Sequence, residues 1–206
     1  MKVSIIIPAF NEEESIAKLY ERLSSVLRRD GLINAYDYEL IFIDDGSKDK
    51  TMAEIKKISD MDEKVKYISF SRNFGKEAAM LAGLSYSTGD YSLIMDSDLQ
   101  HPPELIPQMI EKSKEGYDQV IAKRNRTGDD KSRTALTHIY YKLINRLIDV
   151  KLEDGVGDFR LLSRKAVNAL VSMNEYTRFS KGLFSWIGFK SATLDFPKAS
   201  EIPFFS

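Results

Sequence analysis

Two aspartates separated by one serine are the residues in this chain best suited to bind a metal ion. Asp96 and Asp98 follow a short apolar segment, and in an extended strand end side chains two residues apart point the same way. Carboxylate oxygens are the ligands that Mg²⁺ and Mn²⁺ prefer. Such an ion would reverse the local charge, which would otherwise repel a diphosphate ligand. Taken alone, the tripeptide is more often a solvated turn.

A second pair of carboxylates follows an earlier apolar segment. Asp44 and Asp45 precede Gly46 at the end of a predicted strand, where loops on a rigid scaffold often carry binding residues. The alternative is structural, because Asp-Gly is a common turn and Asp49 with Thr51 could cap the next helix. Taken alone, this pair is therefore only a weak indication of a ligand site.

Strands and helices alternate along the chain, and the polar groups follow the strands. Apolar, largely β-branched runs predict buried strands at 3–7, 39–43, 65–70, 91–95 and 119–122. Helical spacing predicts helices between them, the first with Asn11 as its N-cap. This order predicts an α/β fold with a mostly parallel central sheet flanked by helices. Ligands bind at the carboxyl ends of the strands in such sheets, so we expect the polar groups to meet there.

The second part of the chain carries further predicted elements. An apolar stripe at 136–148 predicts a helix that either packs on the sheet or lies at a membrane interface. Strands are predicted at 155–162 and 191–196, with a helix at 164–173. No apolar run reaches the ~20 residues of a membrane span, and acidic residues stand where a signal peptide would be cleaved. We therefore expect a cytoplasmic chain.

Composition excludes several classes of site. The 206 residues suit one domain, and 30 basic against 31 acidic residues argue against a nucleic-acid partner bound by bulk positive charge. The absence of cysteine from the sequence excludes disulfides, thiolate metal sites and cysteine nucleophiles. Two histidines are too few for a histidine-rich metal site, so a metal would depend on carboxylates.

Four ordered segments together resemble the inverting glycosyltransferases of family 2, which have the GT-A fold. They are VSIIIPAFNEE, IFIDDGSKDKT, SRNFGKEAAMLAG and MDSDLQHPPE. Two more, GVGDFRLLSRKAV and RFSKGLFSWIGFK, resemble the branch that contains dolichol-phosphate mannose synthase and the bacterial polyprenyl-phosphate glycosyltransferases. The resemblance covers residues 1–197, which we expect to form the GT-A domain. Many bacterial members continue into membrane spans, so we expect 198–206 to be a C-terminal tail that is either a truncated remnant or a non-native end.

The resemblance implies a nucleotide site at the first two strand ends. Pro8, Ala9 and Glu12 would line the base and ribose of a nucleoside-diphosphate sugar. Asp45, with Asp44 beside it, would accept a hydrogen bond from the ring N–H of uracil or guanine.

The resemblance also implies a site for the diphosphate. Arg72 and Lys76 would be its cations, unless they only form a solvated helix start. Asp96 would bind the ribose and, with Asp98, the Mg²⁺ or Mn²⁺ that bridges the diphosphate.

Asp158 matches the residue that the family uses as catalytic base. A lipid phosphate is already ionised near neutral pH and hardly needs a base, so Asp158 would then orient the acceptor or bind metal. Its flanking glycines also suit a turn. Arg124 and Arg160 would receive an acceptor phosphate or pair with nearby acids, and we expect His101 to be a loop residue.

The resemblance implies transfer of a hexose, with UDP-glucose favoured as donor, to a polyprenyl-phosphate lipid of the cell envelope. The chain would work peripherally at the cytoplasmic membrane face, with a homo-oligomer left open. A nucleotide-sugar-binding or assembly-partner protein without transfer activity is the alternative. A dinucleotide-dependent oxidoreductase is excluded, because Pro-Ala-Phe-Asn stands where that class needs a glycine-rich turn.

Overall fold

A seven-stranded sheet organises the residues described by the computed structural model, which are 1–29, 36–124, 156–173, 184 and 187–196. The strands are β1 (Lys2–Ala9), β2 (Asp37–Asp44), β3 (Val65–Ser69), β4 (Tyr91–Ile94), β5 (Gln119–Arg124), β6 (Val156–Ser163) and β7 (Ser191–Phe196). The helices are α1 (Ile16–Arg29), α2 (Thr51–Met61), α3 (Lys76–Tyr86), α4 (Ile106–Lys114) and α5 (Arg164–Ser172), with a 3₁₀ turn at Pro103–Leu105.

The sheet is mostly parallel, with the strand order β3-β2-β1-β4-β6-β5-β7. β1 pairs in parallel with β2 and β4, and β5 pairs in parallel with β7. β6 lies between β4 and β5 and is antiparallel to both. The predicted α/β sheet is confirmed, while the reversed strand was not anticipated. Because β6 runs the other way, its beginning lies at the same edge as the carboxyl end of β4.

Both faces of the sheet are covered. On one face Ile5 and Ile7 pack with Leu19 and Leu23 of α1, all of them fully buried. On the other face Ile6 belongs to a cluster with buried residues of α3 and α5. This two-sided burial explains why the strands read as continuous apolar runs.

One glycine brings α3 close to the sheet. A Cβ at Gly83 would overlap the side chain of Ile6 and lie 2.8 Å from Ile43 Cδ1. The close approach lets α3 pack directly on β1 and β2, and Lys76 is the first residue of this helix.

The buried carboxylate of Glu39 forms hydrogen bonds at the opposite edge of the sheet, where β1 and β2 begin. Glu39 accepts hydrogen bonds from Ser4 Oγ at 2.6 Å, from Thr88 N at 2.8 Å and from Lys66 Nζ at 2.7 Å. Lys2 Nζ lies 3.1 Å from the same group. Burial acts to raise the pKa of Glu39, but the hydrogen bonds from Lys66, Ser4 and Thr88 outweigh it and hold the pKa well below its usual range. Glu39 therefore links three strands and the turn before β4 through its charge.

None of the helices within the described ranges is long and apolar enough to cross a bilayer. The predicted helix at 136–148 and the tail at 198–206 lie outside the described residues.

Candidate active site

A cleft of about 410 Å³ opens where β1, β2 and β4 end. Its walls come from the turns after these strands and from the start of α3. The lining residues are Pro8, Ala9, Phe10, Glu12, Asp45, Asn73, Gly75, Lys76, Ala79, Asp96, Ser97 and Asp98. The expected meeting of the polar groups at the carboxyl ends of the strands is confirmed, whereas the role of each residue stays a prediction.

The two aspartates after β2 have different surroundings. The Asp45 carboxylate is buried and accepts hydrogen bonds from Phe74 N at 2.7 Å and Gly75 N at 2.9 Å. It thereby ties the loop before α3 to the end of β2. Asp44 is also buried, accepts from Ser47 N at 3.2 Å and is not among the residues that line the cleft. Asp45 thus faces the cleft while Asp44 closes its own turn.

The turns after β1 and β2 are bonded to each other. Asn11 N donates to Ser47 Oγ, and Lys48 N donates to Asn11 Oδ1, both at 2.9 Å. Glu12 N donates to Thr51 Oγ1 at 2.7 Å. The Asn11 side chain therefore binds the turn after β2 rather than capping α1, which begins at Ile16. Asn11 itself has a left-handed φ of 56°. Asparagine tolerates this conformation better than most residues.

The start of α3 joins two strands of opposite direction. Lys76 Nζ lies 2.6 Å from Asp96 Oδ1 and 2.7 Å from Asp158 Oδ2. Burial acts to lower the pKa of Lys76, but the charges of Asp96 and Asp158 outweigh it and raise the pKa. Lys76 is therefore an ammonium ion shared between the predicted metal ligand and the predicted base.

His101 is a loop residue, as predicted, and its half-buried side chain supports the group formed by Lys76, Asp96 and Asp158. Its Nδ1 accepts a hydrogen bond from Asp96 N at 3.0 Å, so the neutral ring carries its proton on Nε2. The ring stacks on Phe159 of β6, with centroids 4.9 Å apart. Burial lowers the pKa of His101, although Asp96 and Asp98 oppose this shift. A neutral His101 thus connects the turn after β4 to the strand that carries Asp158.

Arg160 lies within the core. It is 2% exposed, and its guanidinium donates to Gln119 Oε1 at 3.0 Å and to Gly157 O at 2.7 Å. The group also lies 3.8 Å from the centre of the Phe184 ring. Burial lowers the pKa of Arg160 to about 10, with Asp158 acting in the opposite direction. This placement favours support of the start of β6 over the expected contact with an acceptor phosphate.

The other two predicted arginines lie outside the residues that line the cleft. The exposed guanidinium of Arg72 stacks over the Phe74 ring, 4.1 Å from its centre. A Cβ at Gly46, where φ is 72°, would overlap the backbone of Arg72, so glycine is needed for this close approach. Arg124 is exposed at the end of β5.

The carboxylate oxygens in the cleft suit a hard divalent cation that is coordinated by a bound ligand as well as by the protein. Among the described residues, no three carboxylates or histidines come together as a metal-binding group. Asp96 and Asp98 both line the cleft and offer oxygen atoms. Mg²⁺ is commonly held by one or two carboxylates, with substrate phosphates and water completing its shell. The two aspartates therefore fit such an ion together with a diphosphate.

The known sequences that this chain resembles are named as glycosyltransferases. The family model described as Glycosyl transferase family 2 matches residues 4–171. The chain is 54% identical over 187 residues to the "Putative glycosyltransferase CsbB" of Bacillus subtilis (strain 168), covering 91% of this chain and 56% of that protein. It is 42% identical over 203 residues to the "Prophage bactoprenol glucosyl transferase homolog" of Escherichia coli (strain K12), covering 98% and 65%. The chain thus spans less than two thirds of the length of these relatives.

Solved structures share the fold. The mannosyltransferase PcManGT of Pyrobaculum calidifontis, in complex with GDP-Man and Mn²⁺, has a TM-score of 0.65 at 14% identity, covering 95% of this chain and 55% of that one. Glucosyl-3-phosphoglycerate synthase of Mycobacterium tuberculosis, in complex with Mn²⁺, UDP and phosphoglyceric acid, has a TM-score of 0.59 at 23% identity, covering 95% and 69%. These neighbours have the GT-A fold, which confirms the fold class.

Proposed function

The chain belongs to glycosyltransferase family 2, and on that premise we propose that it transfers a hexose from a nucleoside-diphosphate sugar to a polyprenyl-phosphate lipid. The observation that carries this proposal is the cleft in which Asp96, Asp98 and Lys76 meet, with Asp158 bound to the same lysine. A relative named as a bactoprenol glucosyl transferase homolog supports the lipid acceptor and favours glucose. The nucleotide favoured as donor is UDP-glucose.

The donor's nucleotide would occupy the part of the cleft formed by the turns after β1 and β2. Pro8, Ala9 and Glu12 line that part, and the cleft volume of about 410 Å³ lies in the usual range for small-molecule sites. Asp45 already accepts two backbone hydrogen bonds, but each carboxylate oxygen can accept a second one. A ring N–H of the base is therefore a suitable partner for Asp45.

Asp96 and Asp98 would hold Mg²⁺ or Mn²⁺ next to the diphosphate. When bound, the ion supplies Lewis-acid chemistry by taking up charge on the departing nucleoside diphosphate. The protein's own part is to keep Asp96 in place, through the hydrogen bond between its backbone N–H and His101. The lining includes four carboxylates, Glu12, Asp45, Asp96 and Asp98, so a diphosphate needs positive charge to enter.

Asp158 would position the acceptor. In the transfer, an oxygen of the lipid phosphate forms a bond to the anomeric carbon while the bond to the diphosphate breaks, and the bonding electrons leave with the nucleoside diphosphate. Attack from the side opposite the leaving group inverts that carbon. A phosphate oxygen is already anionic near neutral pH, so Asp158 has no proton to remove and its ion pair with Lys76 holds it in a fixed orientation.

The polyprenyl acceptor is a membrane lipid, which places the proposed reaction at a membrane surface. We therefore propose peripheral contact with the cytoplasmic membrane face. An amphipathic element at the surface is one means of such contact.

The test is transfer by the chain itself. We expect purified protein with UDP-glucose, Mn²⁺ and polyprenyl phosphate to form glucosylated lipid and to release UDP in equal amounts, with slower reaction from GDP-mannose. Asp98→Ala should abolish transfer, whereas Asp60→Asn, which changes an exposed carboxylate on α2, should leave it unchanged. UDP binding without product from either donor would instead favour the second candidate, a nucleotide-sugar-binding protein.

A further inference from the structure

We infer that Lys76 competes with the divalent metal for Asp96, so that tight metal binding requires a nucleoside diphosphate in the cleft. The inference rests on the proposed function, because it takes Asp96 and Asp98 as the metal's ligands. It assigns Lys76 a role beyond contact with the diphosphate: Lys76 couples the binding of the two ligands.

The competition follows from the position of the ammonium group. Lys76 Nζ lies 2.6 Å from Asp96 Oδ1, which is the distance of a close ion pair. A cation that coordinates the same carboxylate would have to stand next to this ammonium group or displace it. Like charges at such separations oppose each other strongly in a partly buried site, and the Asp96 side chain is only 24% exposed.

The second partner of Lys76 explains why the ammonium group stays in place. Asp158 Oδ2 lies 2.7 Å from Nζ on the other side, and its side chain is 12% exposed. Lys76 therefore forms ion pairs with two partly buried carboxylates at once. A metal at Asp96 alone would take over one of these pairings and leave the ammonium group beside a doubly charged ion.

A diphosphate changes this balance. Lys76 is the only cation among the described residues that line the cleft, and its side chain is 41% exposed on a flexible four-carbon stem. Diphosphate oxygens in the cleft would offer the ammonium group a new anionic partner and release Asp96 for the metal. By thermodynamic linkage, the metal then raises the affinity for the nucleotide by the same factor as the nucleotide raises the affinity for the metal.

The experiment measures Mn²⁺ affinity directly, from the electron paramagnetic resonance signal of free Mn²⁺, with and without UDP. In the absence of UDP, Lys76→Gln should bind Mn²⁺ about tenfold more tightly than the unmodified chain, because the competing charge is gone. The increase in Mn²⁺ affinity caused by saturating UDP should be smaller in Lys76→Gln than in the unmodified chain.

Two control variants separate charge from other effects. Lys76→Arg retains the positive charge and should not gain Mn²⁺ affinity without UDP. Lys57→Gln removes the same charge from a lysine that is 69% exposed on α2 and should behave as the unmodified chain does. A purely structural role of Lys76 would lower the thermal midpoint of Lys76→Gln without raising its Mn²⁺ affinity.

Unchanged or weaker Mn²⁺ binding by folded Lys76→Gln would overturn the inference. If that variant does not fold, Mn²⁺ binding to the unmodified chain still tests the inference. Equal Mn²⁺ affinity with and without UDP would contradict the coupling. Failure of the proposed function looks different: no glucosylated lipid would form, although Lys76→Gln would still gain Mn²⁺ affinity in the assay without nucleotide.

Discussion

Asp96 lies opposite Asp158 when the antiparallel register of β4 and β6, which pairs Ile94 with Arg160, is continued by two residues. Lys76 Nζ bridges the two carboxylates. The pairing of β4 with β6 therefore brings the predicted metal ligand and the predicted acceptor-positioning residue to the same edge of the sheet, where Lys76 joins them.

We expect nucleotide binding to require a divalent metal and Asp98. We expect calorimetry to show UDP binding that weakens at least tenfold, or about 1.4 kcal/mol, when EDTA removes the metal, because the carboxylates then repel the diphosphate. Asp98→Ala should abolish the difference. Asp98 is exposed, so the variant should unfold at the same temperature as the unmodified chain. Equal UDP affinity with and without EDTA would contradict the metal site.

Asp158→Asn separates proton removal from positioning. A phosphate acceptor is already a nucleophile, so we expect the variant to retain measurable transfer to polyprenyl phosphate. Its rate should be nearly flat between about pH 6.5 and 8.5, since no base titrates in the reaction. With a hydroxyl acceptor, loss of a base would cost roughly 10²–10⁴-fold. Complete loss of transfer at unchanged nucleotide and metal affinity would show that Asp158 does indispensable chemistry.

His101 supports the metal site through Asp96. His101→Phe keeps a ring to stack on Phe159 but removes the acceptor for Asp96 N. Loss of this hydrogen bond should weaken Mn²⁺-dependent UDP binding by roughly tenfold, in line with ~1–2 kcal/mol for a buried donor left unpaired. The matched variant His101→Asn offers an amide oxygen as acceptor but no ring, and should keep more of the metal-dependent affinity. A His101→Phe variant that binds UDP and Mn²⁺ normally would exclude this role.

Glu39 makes the stability of the fold sensitive to acid. Its pKa in the folded chain lies below the ordinary value of 4.5, so folding favours the ionised carboxylate. The resulting stabilisation is fully present above about pH 4.5 and is lost as the pH falls toward the folded-state pKa. Glu39→Gln should lower the free energy of unfolding at pH 7 by about 2–3 kcal/mol and flatten this acid dependence.

Urea denaturation at pH 7 and pH 4 measures the effect of Glu39→Gln. Asp37→Asn is the matched control, because its carboxylate pairs with Lys64 while 62% exposed. Exposed pairs contribute about 0–1 kcal/mol, so the control should change stability little. If both variants lose the same free energy, the network around Glu39 is not what stabilises this edge.

Local sequence determined the alternation of strands and helices and the polar residues at the strand ends. Two-sided burial makes β1 and β2 continuous apolar runs, and such runs end where the chain turns to polar residues. Asp45, Asp96 and Asp98 could therefore be assigned to one edge of a parallel sheet from the sequence alone. Their residue types also indicated an oxygen-liganded metal.

Only the tertiary structure decided which of these groups touch. Strand direction depends on pairing between distant segments, and no local pattern in 155–162 distinguishes a parallel from an antiparallel strand. The reversal of β6 carries Asp158 to Lys76 and turns Arg160 into the core. The same holds for Asn11, whose side chain bonds a turn brought near by the pairing of β1 with β2. Contacts of this kind arise from the assembled sheet, because they join segments that the chain itself keeps apart.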